Sequence, residues 1–280
     1  MGALWMLVAG VLFAAMGVFA KLGSAYFSSA ELVFYRSVIG FAALTLLARA
    51  KGWPLGTPHW RLHLTRGAAG VVSLGLYFHC IAALPLATAV TLNYTSPLFL
   101  ALLTTVLLQE RLHWPLVSAI ALSFAGVILL LEPTLHEEQL RDGLLGLASG
   151  ALAAVAYLNV KQLGATGEPG WRVVFWFTVV STSASAAWVA ATGFSPITPH
   201  GAWLLAGIGV TATIAQYAMT LAYHTGHTLV VGAFAYSTVL FSTLFGILLW
   251  NDHLNPLAWT GIALIVAGGV LSLGASRRAA

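Results

Sequence analysis

The sequence predicts an all-α integral membrane protein with ten transmembrane helices, arranged as two inverted five-helix repeats. Three observations lead to this prediction: an apolar composition, apolar runs of bilayer-spanning length, and a second half that repeats the first. Of the 280 residues, 59% are hydrophobic and only 7% are charged, whereas soluble domains carry roughly a quarter charged residues. So few charges could not cover the surface of a soluble fold of this length, so the composition argues against a soluble protein.

Apolar runs of roughly twenty residues follow one another along the chain, each about the length that crosses ~30 Å of hydrocarbon as a helix. The shorter alternating segments of a transmembrane strand barrel are not seen. The first run begins at Gly2 without a basic leader and is too long for a signal-peptide core, so we expect a retained helix. The predicted spans are 2–22, 31–49, 66–84, 87–108, 114–131, 143–161, 171–192, 201–222, 228–250 and 256–274.

The second half of the chain repeats the first. With an offset of 142 residues, Tyr94 aligns with Tyr236, and an acidic corner at Glu110 aligns with Asp252. We therefore predict one five-helix unit over residues 1–136 and a second over 137–280. An offset of 140 residues extends the match to the earlier helices of each unit, through the pairs Gly10/Gly150, Lys21/Lys161 and Tyr77/Tyr217.

An odd number of helices per unit means that the second unit enters the membrane upside down relative to the first. Inverted repeats are typical of secondary transporters, whose substrate lies near the bilayer midplane between the halves. Nine Lys and Arg residues, Arg66 among them, are assigned to the side that holds both termini, against two or three on the other side. Because cytoplasmic loops are enriched in Lys and Arg, we expect both termini in the cytoplasm and the protein in the inner membrane.

Two long stretches carry a family resemblance. "NYTSPLFLALLTTVLLQERLHWPLVSAIALSFAGVILLL" (93–131) resembles the fourth and fifth helices of an EamA-type domain, and 235–273 resembles a second copy. "ELVFYRSVIGFAAL" (31–44) is similar to the family's second helix, with Arg36 at the usual arginine. The resemblance implies the drug/metabolite transporter superfamily, which usually exports amino acids or other small metabolites. The chain departs from the pattern where Val239 aligns with Pro97, and where Phe177 offers Arg36 no basic partner in the seventh helix.

Polar and aromatic side chains within the spans are the candidate substrate-binding residues, because polar groups in hydrocarbon must turn toward a partner or a cavity. They predict an uncharged cavity for a neutral or zwitterionic molecule. Bonding between helices is the competing explanation for each of them. His79 is the only mid-span candidate for a proton carrier, and a histidine satisfied by a neighbour is the alternative. The candidates are Tyr77, His79, Asn93, Tyr94, Tyr157, Gln216, Tyr217 and Tyr236.

These observations predict an exporter of small metabolites, with neutral or aromatic amino acids as the leading substrates and alternating access as the mechanism. A multidrug exporter of cationic or amphipathic compounds is the first alternative, and a non-transporting membrane scaffold or an enzyme acting on lipid-embedded substrates is another. We expect no catalytic residues, cofactor, metal site or nucleic-acid partner, since no phosphate loop or zinc-protease motif is present. The expected partners are the small-molecule substrate and the lipid bilayer, with the chain a monomer or weak dimer. Proton coupling, exchange and facilitated diffusion all stay open.

Overall fold

The structure is a computed structural model that describes residues 2–107, 137–225, 234–252 and 254–277, with isolated positions 114, 118, 121, 122, 125, 126, 129 and 231. Within these residues all regular structure is helical, which confirms the all-α class. In the described ranges, six helices are long and apolar enough to cross a membrane. The count of ten spans stays a prediction, and the corner at Glu110 lies outside the described residues. The helices are α1 Gly2–Gly23, α2 Ser29–Lys51, α3 Trp60–Ala83, α4 Leu86–Asn93, α5 Ser96–Leu107, α6 Glu137–Ala165, α7 Gly170–Thr192, α8 Pro199–Thr225, α9 Ser237–Trp250 and α10 Pro256–Arg277.

Contacts between helix ends show that the two halves run in opposite directions. Glu31, in the first turn of α2, accepts a hydrogen bond from the Ser195 backbone N–H at 2.6 Å, so the α1–α2 and α7–α8 links lie on one face. Trp53, just after α2, stacks on Trp171 at the start of α7 with ring centroids 4.7 Å apart, which defines the opposite face. We call these the Lys21 face and the Lys161 face. Helix α1 ends at the first and α6 at the second.

The halves pack against each other reciprocally. The first helix of each half lies along the third helix of the other, α1 on α8 and α6 on α3. Between α2 and α7, the hydroxyl oxygens of Ser37 and Ser181 are 2.6 Å apart. A Cβ at Gly10 would lie 2.5 Å from Ser237 Oγ, and a Cβ at the aligned Gly150 would lie 2.6 Å from Thr95 Oγ1. The aligned glycines thus allow the same close helix approach in both halves.

The fourth helix of each half is interrupted at the aligned tyrosines. Helix α4 ends at Asn93 and α5 begins at Ser96, with Tyr94 and Thr95 in a turn between them. Pro97 favours this break, because it has no N–H to donate to the carbonyl four residues earlier. In the second half Tyr236 is a turn residue directly before α9, although no proline follows it. Irregular backbone at membrane depth is tolerated only where it is buried in protein or lines a cavity.

Residues 53–59 form a strap across the Lys161 face. Trp176 Nε1 donates to the Leu55 carbonyl at 3.0 Å, and Glu168 accepts from Thr57 Oγ1 and from Arg172 Nη1, the latter at 3.0 Å. Burial by itself would raise the pKa of the Glu168 carboxyl, but the hydrogen bonds from Thr57 and Arg172 outweigh it, so the pKa lies below its ordinary value. The strap ends where α3 begins at Trp60, a turn and a half before the predicted start at residue 66.

Candidate functional site

A cavity lies between the two halves, beside the interruption at Tyr94. Its volume is about 60 Å³, which holds a few water molecules. Its polar lining comes from α2, α3, the end of α4, α6 and α8, and the aromatic ring of Phe177 lines it from α7. The polar lining residues are Arg36, Arg66, Ser73, Tyr77, Asn93, Tyr94, Tyr157 and Gln216, and the larger apolar ones are Phe13, Met16, Leu74 and Phe177.

Two arginines share one aromatic ring in this cavity. Arg36 and Arg66 are only 4% and 3% exposed. The Arg66 guanidinium carbon lies 3.7 Å from the centroid of the Phe177 ring, and that of Arg36 lies 5.5 Å from it. Arg36 Nη2 also donates to Gln216 Oε1 at 3.4 Å, a long hydrogen bond. A desolvated guanidinium over an aromatic face gains about 2 kcal/mol, so Phe177 is a platform that holds both cations beside the cavity.

Gly70 makes room for this arrangement. A Cβ added at Gly70 would lie 2.8 Å from Arg66 Nη1 and 2.9 Å from Phe177 Cε2. Gly70 follows Arg66 by one helical turn, so any side chain there would meet the guanidinium that folds back over it. The glycine therefore sets the position of the Arg66 head group.

The cavity carries uncompensated positive charge. None of the described residues that line it is Asp or Glu. The Nε atoms of Arg36 and Arg66 are buried without a hydrogen-bond partner in the described part of the chain, as is Gln216 Nε2. The expectation of an uncharged lining is therefore wrong, and so is the assignment of Arg66 to the end of a span. Because buried unpaired charges are costly, such a pair marks a place that suits an anionic group.

Five of the predicted site residues meet at this cavity. Tyr77, Asn93, Tyr94, Tyr157 and Gln216 all line it. They come from four helices and the turn at Tyr94, and from both halves, so these polar residues do converge. Asn93 Nδ2 also donates to Ser149 Oγ at 3.0 Å, which fixes its amide against α6. Whether these side chains bind a substrate stays a prediction.

The other three predicted residues lie elsewhere. His79 is half-exposed, and its Nε2 lies 2.8 Å from Asp142 Oδ1 at the Lys21 face. Tyr217 is half-buried and is not part of the cavity lining, and Tyr236 is buried in the apolar core. Asp142 is thus a neighbour that satisfies the His79 ring, which was the alternative to a proton carrier. The His79 side chain is not a buried group in the middle of the membrane. Tyr217 and Tyr236 were favoured for their repeat positions, and their locations show that mates in an inverted repeat need not face the same space.

Four cavity residues were not among the predicted substrate-binding residues: Arg36, Arg66, Ser73 and Phe177. A signal for two of them exists in the sequence, because Arg66, Gly70, Ser73 and Tyr77 follow a spacing of 4, 3 and 4 residues along one face of α3. Ser73 Oγ donates to the Ser149 carbonyl at 2.7 Å, so this face of α3 is turned toward α6. No comparable signal exists for Phe177 in its apolar helix.

A wider groove of about 650 Å³ lies at the Lys21 face, outside the central cavity. His79 and Arg141 line it, with Trp188 and apolar side chains of α3 along its depth. It is the larger space and is also lined by both halves, but His79 is the only predicted site residue among its described lining residues, whereas five line the central cavity. We therefore take the central cavity as the candidate substrate site.

Comparison with protein families gives a match over almost the whole chain. The model of the EamA-like transporter family matches residues 1–132 and again residues 142–274. The two matches correspond to the two halves of the fold. A solved structure is also similar, with a TM-score of 0.73 and 20% sequence identity over 99% of this chain and 98% of the other. That likeness concerns the fold alone.

Curated relatives cover nearly the full chain as well. A pseudopaline exporter of Pseudomonas aeruginosa is 30% identical over 270 residues, covering 96% of this chain and 92% of the relative. A riboflavin transporter of Rhizobium johnstonii is 31% identical over 284 residues, covering 96% and 89%. An uncharacterized transporter of Helicobacter pylori is 25% identical over 278 residues, covering 96% and 93%. Two tandem family matches, relatives that are transporters rather than enzymes, and a helical two-repeat fold agree: this chain belongs to the EamA-like transporter family.

Proposed function

We propose that this transporter exports small organic metabolites that carry a carboxylate, with amino acids of apolar or aromatic body as the leading class. The single observation behind the proposal is the pair of buried guanidiniums, Arg36 and Arg66, on the Phe177 ring in the cavity between the halves. Guanidinium is the side-chain group best matched to a carboxylate, which it binds through two parallel hydrogen bonds.

The rest of the lining fits such a molecule. Tyr77, Tyr94 and Tyr157 offer both an aromatic face and a hydroxyl group. Helix α5 begins two residues after Tyr94, and the partial positive charge of a helix N-terminus favours an anion. A substrate larger than a few waters needs side chains to move apart, as expected when such a cavity exchanges between closed and open forms.

The architecture and one relative support export by alternating access as part of this proposal. Rocking of two inverted halves about a central site exposes that site to either face in turn. The pseudopaline exporter supports outward transport, and the excess of Lys and Arg in the loops supports an inner-membrane location with both termini in the cytoplasm. The multidrug alternative is disfavoured, because a cationic compound would meet two like charges and no carboxylate among the described lining residues.

The test is a transport assay in proteoliposomes with a panel of labelled compounds: phenylalanine, glutamate, riboflavin and a cationic dye, with and without a proton gradient. We expect uptake of a carboxylate-bearing compound, and loss of that uptake in Arg36→Gln. Arg61→Gln is the matched control, because Arg61 is exposed at the start of α3. Transport of the dye together with failure of every carboxylate would overturn the proposal.

A further inference from the structure

We propose that Lys21 is a gate residue that closes one end of the central cavity, and that its repeat mate Lys161 is the equivalent residue of the other gate, here released. The two lysines align in the repeat but lie at opposite faces. Their surroundings differ: neighbouring residues hold the Lys21 ammonium, whereas Lys161 is exposed. The inference rests on the proposed transport function for its meaning, though its test needs no substrate.

Lys21 joins both halves of the molecule at its face. Its ammonium donates to the Leu84 carbonyl at 3.0 Å, at the link between α3 and α4. The same ammonium lies 5.3 Å from the centroid of the Trp250 ring, at the end of α9. The Asp252 carboxylate, two residues further on, is a nearby opposite charge, although it forms no ion pair with Lys21 and its Oδ2 has no hydrogen-bond partner in the described part of the chain. One side chain of the first half thus contacts a carbonyl of its own half and an aromatic ring of the other.

An apolar layer separates this contact from the cavity. Gly17 lies one turn before Lys21 on α1, and a Cβ there would meet Leu86 Cδ1 at 3.2 Å, Tyr77 Oη at 3.9 Å and Ile81 Cδ1 at 4.0 Å. Leu86 and Ile81 are fully buried, and Tyr77 lines the cavity. From the cavity outward, the order is therefore Tyr77, then the layer of Leu86 and Ile81, then Lys21. The Lys21 contacts therefore lie outside an apolar layer that already blocks this end of the cavity.

The other face is arranged differently. Lys161 is exposed and lines a pocket of about 210 Å³ with Tyr157, Tyr223 and Leu100. Tyr157 lines both this pocket and the central cavity. Tyr157 is the repeat mate of Gly17. At the equivalent places in the repeat, α1 therefore has a glycine against an apolar layer and an engaged lysine, whereas α6 has a tyrosine and an exposed lysine.

Because the repeat is inverted, the difference between the two lysines predicts what changes during the transport cycle. When the halves exchange conformations, the Lys21 contacts must break and the Lys161 side must close. Lys21 holds the present state through one charge-assisted hydrogen bond and one cation–π contact. Weakening these contacts should therefore populate the state that opens toward the Lys21 face.

Cysteine accessibility tests the proposal directly. Ala156 lines the cavity, and Cys80 is the only native cysteine, so Ala156→Cys in a Cys80→Ser background gives one reporter thiol in the cavity. A charged methanethiosulfonate reagent is added to one side of oriented vesicles at a time. We expect Lys21→Gln to speed labelling from the Lys21 face about tenfold, the effect of roughly 1.4 kcal/mol. Lys21→Arg, which keeps a cationic donor, should stay near the parent rate.

The control is Lys161→Gln, which should leave labelling from the Lys21 face unchanged. If Lys21→Gln fails to insert into the membrane, Trp250→Leu serves as the second variant. We expect Trp250→Leu also to speed labelling from the Lys21 face. Unchanged labelling in both Lys21→Gln and Trp250→Leu, or an equal increase in Lys161→Gln, would overturn the gate. Because the reporter reads accessibility alone, failure of the transport panel would leave this result standing, and the two proposals can fail separately.

Discussion

The two halves of the molecule have the same fold but give the cavity different chemistry. The first half supplies both cations, Arg36 and Arg66, whereas the described lining residues of the second half are uncharged, Phe177 and Gln216 among them. In the transport cycle that we propose, the reciprocal helix packing allows the halves to exchange roles. In the same proposal, the unequal side chains select the substrate. Under this proposal, backbone symmetry serves movement and side-chain asymmetry serves recognition.

Among the changes that test this difference between the halves, removal of a cavity charge should have the largest effect on substrate affinity. For Arg66→Gln we expect the affinity for a carboxylate substrate to fall about 10- to 100-fold, the effect of roughly 1.5–3 kcal/mol for a hydrogen bond to a charged group. Arg66→Lys should recover only part of it, because an ammonium cannot form the two-point contact of a guanidinium. Substrate binding to purified protein measures this, with Arg61→Gln as control. Equal affinity in Arg66→Gln and Arg61→Gln would contradict the account.

The contribution of the second half is tested at its aromatic platform. Phe177→Leu removes the cation–π contact and should weaken substrate binding about tenfold, since such contacts are worth roughly 1–2 kcal/mol. Phe177→Trp keeps an aromatic face and should retain most of the binding. If the leucine variant bound as well as the wild type, Phe177 would be packing only.

Gly70 tests how tightly the Arg66 head group must be placed. Gly70→Ala forces a Cβ to within 2.8 Å of Arg66 Nη1, so we expect the guanidinium to shift and affinity to fall several-fold. The control is Gly56→Ala in the strap, where nothing lies within 4 Å of the added carbon. The loss should appear in substrate binding, while the melting temperatures of the two variants are compared to exclude a general folding defect.

The repeat-related tyrosines test the same difference between the halves, with a smaller expected effect on substrate binding. Tyr77 lines the cavity and its mate Tyr217 does not. Tyr77→Phe should weaken substrate binding a few-fold, because a hydroxyl hydrogen bond contributes about 1 kcal/mol. Tyr217→Phe should leave it unchanged. A larger effect at Tyr217 would mean that the substrate occupies another space.

The strap at the Lys161 face should affect stability rather than recognition. The Glu168 carboxylate has a lowered pKa in the folded protein, so it stabilises the fold above its ordinary pKa of about 4.3. This stability is lost as the pH falls through the lowered value. Glu168→Gln should therefore melt below the wild type at pH 7, and the gap should close under strongly acidic conditions. A gap that persists unchanged to pH 3 would contradict the ionic role.

The predictability of the fold had clear physical causes. Apolar run length gave the helical class, because bilayer thickness constrains every span in the same way. The family came instead from the resemblance of residues 93–131 and 235–273 to EamA-type helices. Helix ends were less predictable: α6 extends over Glu137–Ala165 although its predicted span covers only 143–161. From the sequence alone, polar residues at a helix end fit equally well with a turn in water and with a turn that packs on a neighbouring loop.

The sequence pointed to several polar residues that line the cavity and missed the charged ones. Tyr94 and Gln216 line the cavity as expected, because a polar side chain within a span needs an inward environment. Arg66 follows a basic loop, so a count of loop charges assigned it to water. Its burial depends on Gly70 in the same helix and on Phe177 in α7. A contact made across the chain leaves no pattern in a single segment.

The central claim is that the cavity recognises a carboxylate through two arginines of the first half. Competition between an amino acid and its own amide, against the labelled substrate of the proteoliposome assay, tests it most directly, because the pair differs at one group. We expect the amino acid to compete and the amide to compete at least tenfold more weakly, with the difference lost in Arg36→Gln. Equal competition by both compounds in the wild type would contradict the account.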